Sequence, residues 1–384
     1  MRAPWARAPG APDRRRLAWA PALAAPDRVL TLLALALSAM GLLLVWSATR
    51  MEGDHTLLVR QAVAVGLGLA LMWLVSRVDL RVLRAYVPVA YVLALVSLAA
   101  VLTPLGVRVN GAHSWITLAP GLRLQPSELA KVALALAFAV PLGELRDGQR
   151  RPGFGGVMLA LALAAAPIGL IALQPDLGTM LVFAAMVTGA LLVSGAPKRW
   201  LLVLALGAAG AGAAAWRLGL VRPYQIERLL VLADPGADPG GAGYNAVQAR
   251  IAIGSGGFYG KGLFNGEQTA GHFVPEQHTD FVFTVAGEEL GFAGAALIVL
   301  AVGALLWRGL AIARRSDSLY GTVLAGGVVS WIAFQTFVNV GMTVGLMPVV
   351  GVPLPFVSYG GSATVAGLLA VGLLQAVHRT RAAA

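Results

Sequence analysis

The 384-residue chain contains no cysteine, which excludes disulfide frameworks and thiolate metal sites. Charge is also scarce: Asp, Glu, Lys and Arg together make up 12% of the residues. A soluble domain needs more polar side chains than that to cover its surface. What the chain has instead is apolar bulk, at 58% hydrophobic with a mean hydropathy of +0.76. The apolar residues gather in runs of about 17–25, the length a helix needs to cross about 30 Å of hydrocarbon. The short alternating segments of a transmembrane β-barrel are absent. The chain therefore reads as an all-α integral membrane protein.

About ten spans are predicted, at 28–48, 57–76, 84–103, 126–142, 156–173, 177–194, 199–216, 281–307, 320–345 and 362–377. The formal charge of +11 does not imply a nucleic-acid partner, because the basic residues cluster in alternate loops. Arg77, Arg81 and Arg84, then Arg146, Arg150 and Arg151, then Lys198 and Arg199, then Arg308, Arg314 and Arg315, mark one side. By the positive-inside rule that side is cytoplasmic, and both termini lie there. Residues 1–26, with Arg14, Arg15 and Arg16 in a row, are predicted to be a disordered cytoplasmic arm. Val29–Val45 is too long for a typical signal-peptide core and reads as an uncleaved first span.

Three longer segments then face outward: 104–125, 217–280 and 346–361. The second, between spans seven and eight, is too long to be a mere connector. Its piece Tyr224–Val231 is amphipathic and suits the membrane interface. Span seven, with Gly207, Gly210 and Gly212, suits close helix packing.

Asp280 stands where the long loop re-enters an apolar span, and an ionisable group at such a border is a functional candidate by default. Asp280, Thr284 and Glu288 would share one face of a helix by i,i+4 spacing. Glu128 and Lys131 open the fourth span as an i,i+3 pair, and Lys131 gains nothing from a helix N-terminus, so an anionic partner suits it. Arg60 starts the second span beside Gln61. Ser358 lies in a Pro- and Gly-punctuated loop, 348–362, of the kind tolerated at membrane depth only where protein buries it or a wet cavity is lined. Gly254–Gly262 is not a phosphate loop, because Ser255 replaces its first Gly and Gly262 its Ser/Thr; it suits close backbone approach. His272, Glu276, His278 and Asp280 match no zinc spacing, and a hard cation such as Mg²⁺, held by one carboxylate and substrate phosphates, is the better expectation.

These motifs resemble the SEDS family (shape, elongation, division and sporulation), specifically its RodA branch. The resemblance is carried by Gln125–Lys131, Gln174–Thr179, Asp234–Tyr244, Ile251–Gly262, Pro275–Phe281, Gly287–Gly291 and Asn339–Ser362, in order along 27–381. It implies a ten-helix fold and a peptidoglycan glycosyltransferase that polymerises lipid II at the outer face of the plasma membrane during elongation. The implied partners are a class B penicillin-binding protein and other elongation-complex membrane proteins. Asp280 matches the family's essential carboxylate, and is expected to act as base or as metal ligand. Arg60 and Lys131 are expected at the substrate pyrophosphate, with Glu128, Glu288 and Ser358 around the same cavity. A lipid II flippase and a division-branch (FtsW-like) polymerase are the alternatives.

Overall fold

The computed structural model describes residues 25–382, apart from 53–54, 110–111, 120–121, 145–150, 220, 222, 235–237 and 239–240. The predicted arm at 1–26 therefore falls almost wholly outside the described residues. Among the described residues, eight helices are long and apolar enough to cross a membrane. They are α1 (Arg28–Thr49), α2 (Thr56–Val75), α5 (Pro126–Gly143), α6 (Phe154–Leu173), α8 (Arg199–Arg217), α13 (Gly291–Arg315), α14 (Leu319–Thr343) and α15 (Gly361–Ala382). Two shorter apolar helices, α4 (Val87–Val101) and α7 (Leu177–Val193), lie within the segments where two further spans are expected. A short α3 (Leu80–Ala85) precedes α4.

The caps follow local chemistry. Asp27 accepts from Leu30 N to start α1, Asp176 accepts from Thr179 N to start α7, and Ser318 accepts from Gly321 N to start α14. Pro126 opens α5, where its missing N–H is not needed. At the centre lies α14, packed on α5, α7 and α13, while α15 packs most closely on α2.

The structure corrects three expectations. First, the chain is not purely helical: 104–125 holds an antiparallel sheet, β1 (Gly106–Val109), β2 (Ala112–Ala119) and β3 (Leu122–Leu124), in the order β1-β2-β3. Second, the Gly/Ala-rich α8 does not pack closely. Only 6% of its apolar window is buried, and a Cβ on Gly207, Gly210 or Gly212 would meet nothing within 4 Å.

Third, the eighth span is broken into α12 (Val282–Glu289) and α13 at Gly291, whose φ is +66°. Asp280 precedes α12, so it shares no helical face with Thr284 and Glu288. The freed backbone groups are satisfied by the Gly-rich segment that follows α10 (Ala242–Ser255). Lys261 N and Gly262 N donate to Glu288 O and Glu289 O, both at 3.0 Å, while Phe292 N and Ala293 N donate to Gly257 O and Phe258 O. Non-helical backbone at this depth persists because protein covers it. The approach is so close that a Cβ on Gly260 would lie 2.2 Å from Glu289 O. Gly291→Ala should cost at least about 1–2 kcal/mol for its left-handed backbone alone. A Cβ there would also meet Gly260 N at 2.2 Å, and thermal unfolding in detergent should show the loss.

Candidate functional site

Asp280 ends a loop that follows α11 (Glu267–Ala270) and turns through two uncommon conformations, with φ of +52° at His272 and +53° at Glu276. Such backbone collects at functional loops because the surrounding structure must impose it. Thr284 N bonds to Phe281 O, so the Asp280 carbonyl is free to pair outside the helix. It accepts from Asn339 Nδ2 on α14 at 2.7 Å, and the same amide donates to Val352 O at 2.8 Å. One side chain thus ties the Asp280 backbone to the 350–353 loop. That loop lies against the carboxylate: a Cβ on Gly351, φ +69°, would stand 3.2 Å from Asp280 Oδ2.

The half-buried carboxyl of Asp280 is pushed from 3.8 up to about 7, chiefly because it is withdrawn from water and further by repulsion from Glu276. Arg228, on α9 (Pro223–Ala233), pulls the other way, and Asp176 adds a smaller upward push. A carboxyl balanced near neutrality can both accept and return a proton, as a general base must.

Beneath the 350–353 loop lies a buried polar cluster. Gln335, one turn before Asn339 on α14, donates from Nε2 to Pro353 O at 2.8 Å. Its Oε1 accepts from Lys131 Nζ at 2.9 Å and from Trp331 Nε1 at 2.6 Å. Lys131 Nζ also donates to Glu128 Oε1 at 2.7 Å, and these two side chains are 1% and 3% exposed. The expected Glu128–Lys131 pair is therefore present, but it is turned inward below the loop instead of toward a surface anion. Asn339 Oδ1 and Glu128 Oε2 are buried with no hydrogen-bond partner among the described residues.

Asn339→Asp keeps the side chain's shape and removes both donated hydrogen bonds. It should lower kcat by about 10²-fold, the scale of a misplaced reacting group, while leaving KM nearly unchanged. Steady-state kinetics together with a melting curve checks this.

The other expected residues take different positions. Arg60 is exposed at the start of α2. Its neighbour Gln61 is buried and holds the Ser358–Thr364 segment, donating to Ser358 O at 3.1 Å and Thr364 Oγ1 at 2.9 Å and accepting from Gly360 N at 3.1 Å. Ser358 is 3% exposed and its Oγ accepts from Leu354 N, so it shapes the loop from within. Glu288 is 0% exposed and accepts from Gln268 N, Thr269 N, Thr269 Oγ1 and Lys261 Nζ. It thus anchors the 261–269 loop instead of lining a cavity with Asp280. Among the described residues, no three His, Asp or Glu side chains converge as a metal site. The protein-borne donors therefore suit Mg²⁺ only as an ion shared with substrate phosphates.

None of Asn339, Gln335, Gly351, Arg228 and Asp176 is assigned a role by the sequence, although Asn339, Gly351 and Asp176 fall in stretches that carry the family resemblance. Two of them carried a signal, as amide side chains one turn apart inside an apolar helix.

Residues 27–383 match the family model FTSW_RODA_SPOVE, described as "Cell cycle protein". The chain is similar to the peptidoglycan glycosyltransferase MrdB of Escherichia coli, with 38% identity over 90% of this chain and 92% of that protein. Among solved structures it resembles a chain from a study of the coordination of polymerization and crosslinking by a peptidoglycan synthase complex. That likeness has a TM-score of 0.78 and 37% identity, covering 93% of this chain and 98% of the other. It also resembles the rod shape determining protein RodA of Thermus thermophilus, with a TM-score of 0.69 and 35% identity, covering 94% and 99%.

Proposed function

The chain belongs to the FtsW/RodA/SpoVE family of cell cycle proteins, and from that premise we infer that it is a peptidoglycan glycosyltransferase, with Asp280 as its catalytic base. The reading has it polymerise lipid II during cell elongation from the bacterial plasma membrane. Ten membrane-spanning segments are then counted by joining α4 and α7 to the eight longer helices and taking α12–α13 as one. Both termini lie in the cytoplasm and Asp280 faces outward, as the loop charges require.

One observation carries the mechanism: a carboxyl raised to about 7, set beside Gly351 on a residue whose carbonyl is held by the Asn339 side chain. In the reaction, Asp280 takes the proton from the 4-hydroxyl of an acceptor GlcNAc. That oxygen forms a new bond to the anomeric carbon of the donor sugar. The bond from that carbon to the pyrophosphate oxygen breaks, and polyprenyl pyrophosphate departs with the electron pair. An α-linked donor yields a β-1,4 product by this single displacement, so no second carboxylate is needed as nucleophile.

Cations are needed where charge develops on the leaving group. Exposed Arg60, and Arg228 close enough to act on Asp280, suit that task. Lys131, enclosed with Glu128 and Gln335, supports the loop behind Asp280 instead. In the rival role, Asp280 would instead hold a divalent cation such as Mg²⁺ together with the substrate's phosphates, the cation would offset charge on the departing pyrophosphate, and a water or a second group would take the proton. A class B penicillin-binding protein is the partner that would cross-link the product.

Purified protein supplied with labelled lipid II should produce glycan polymer resolvable on a gel. Movement of labelled lipid II across a vesicle membrane without polymer would instead identify a flippase.

A further inference from the structure

Far along the chain from the catalytic loops, α1, α13 and α15 meet at a corner organised by one buried acid. Asp27 is 4% exposed. Its backbone N–H donates to Gln375 Oε1 at 2.8 Å and its carbonyl accepts from Gln375 Nε2 at 2.9 Å. Its carboxylate caps α1 through Leu30 N and accepts from Arg308 Nε. The Asp27 side chain is thereby fixed, and it fixes Arg308 by one edge of the guanidinium. Arg308 remains 33% exposed, with its terminal nitrogens not required by Asp27.

Beside this corner a crevice opens between α13 and α15, lined by Arg308, Ala311, Ile312, Arg315, Val377 and His378. The four residues from α13 stand at i, i+3, i+4 and i+7, so they occupy one helical face. An apolar floor of Ala311 and Ile312 thus separates two arginines two turns apart, roughly 10 Å along the axis. Val377, 1% exposed, continues the floor on α15. Arg315 is exposed, and Arg28 adds a further exposed cation at the start of α1. Asp27 offsets only one of these charges.

We propose that this crevice binds the headgroup of an anionic phospholipid, with its phosphate between Arg308 and Arg315 and its acyl chains along the apolar helix surface. Two observations favour a lipid over a soluble anion. The site lies between two helices long and apolar enough to span a membrane. Its floor is hydrocarbon, which gains from acyl or glycerol carbons and gives nothing to a free phosphate. Basic pockets between membrane helices are suited to such headgroups.

Native mass spectrometry of the purified protein, titrated with dioleoyl phosphatidylglycerol or dioleoyl phosphatidylcholine, tests the site. The wild type should retain at least one phosphatidylglycerol and no phosphatidylcholine under the same conditions. Arg315→Gln should weaken retention by about fivefold, the equivalent of roughly 1 kcal/mol for one basic residue near the surface. Arg315 is an exposed side chain, so its melting temperature should hold; His378→Gln provides a second variant with the same expected direction. Equal retention of the two lipids, or undiminished phosphatidylglycerol binding in both variants, would overturn the proposal. Displacement of the lipid by millimolar inorganic phosphate would also overturn it, by showing a site for free anions.

Discussion

Asp280→Asn should leave a folded protein that polymerises lipid II about 10²–10⁴-fold more slowly, the usual contribution of a positioned general base. Asparagine matches the carboxylate in shape and cannot accept the proton, so substrate binding should persist while turnover collapses. The wild-type pH profile should carry the same signature. Because the Asp280 carboxyl lies at about 7, the base form grows as pH rises, and turnover should climb through neutrality and level off above it.

The same shift makes a second claim, on stability. An acid whose folded-state pKa is raised stabilises the fold only while protonated. That contribution is complete below the ordinary value near 3.8 and is lost as pH rises through about 7. Asp280→Asn should therefore melt higher than the wild type at pH 8, with the gap closing as the pH falls toward 4. Near-normal polymer from the variant, measured by gel assay, would remove Asp280 from the chemistry. A melting difference independent of pH would remove the account of its pKa.

Glu128→Ala should destabilise the protein by about 3–5 kcal/mol, the cost of leaving one member of a buried ion pair without its partner. Lys131 Nζ lies 2.7 Å from Glu128 Oε1, and its ammonium would be left with Gln335 Oε1 at 2.9 Å and the face of Trp331 at 4.8 Å. Replacing both residues together, as Glu128→Leu with Lys131→Met, should recover much of the loss, because a packed apolar pair needs no desolvation of charge. Unfolding of all three proteins in the same detergent gives the comparison. If the single and double variants were equally destabilised, the loss would come from packing and not from the stranded charge. Activity should fall as well, since Gln335 joins Lys131 to Pro353 O and so to the loop beside Asp280.

Asp280 stands out in the sequence as a candidate because a carboxylate at an apolar border is costly wherever it occurs. Asn339 was not legible as its support: its two hydrogen bonds cross to residues 59 and 13 positions away, and no periodicity reports such a contact. Glu288 misled for a related reason. Its i,i+4 spacing from Thr284 holds within α12, but Asp280 lies before that helix, so the shared face does not reach it. The sheet over 106–124 did leave a sign: Asn110-Gly111 between Val109 and Ala112 is a strong hairpin dipeptide.

The sequence by itself determined the membrane class, the approximate helical segments, the expected orientation and the choice of Asp280. Each of these rests on a one-dimensional property: the length of an apolar run, the loop in which arginines fall, or the cost of one charge beside an apolar run. Only the tertiary structure decided what surrounds that carboxylate. It turned Glu128, Lys131 and Glu288 inward, set Gly351 and Asn339 against Asp280, and split the eighth span. Those outcomes depend on which distant segments can satisfy one another's polar groups in a low-dielectric interior. Hydrogen bonding across the packed helices selects them, and that selection exists only once the chain has folded.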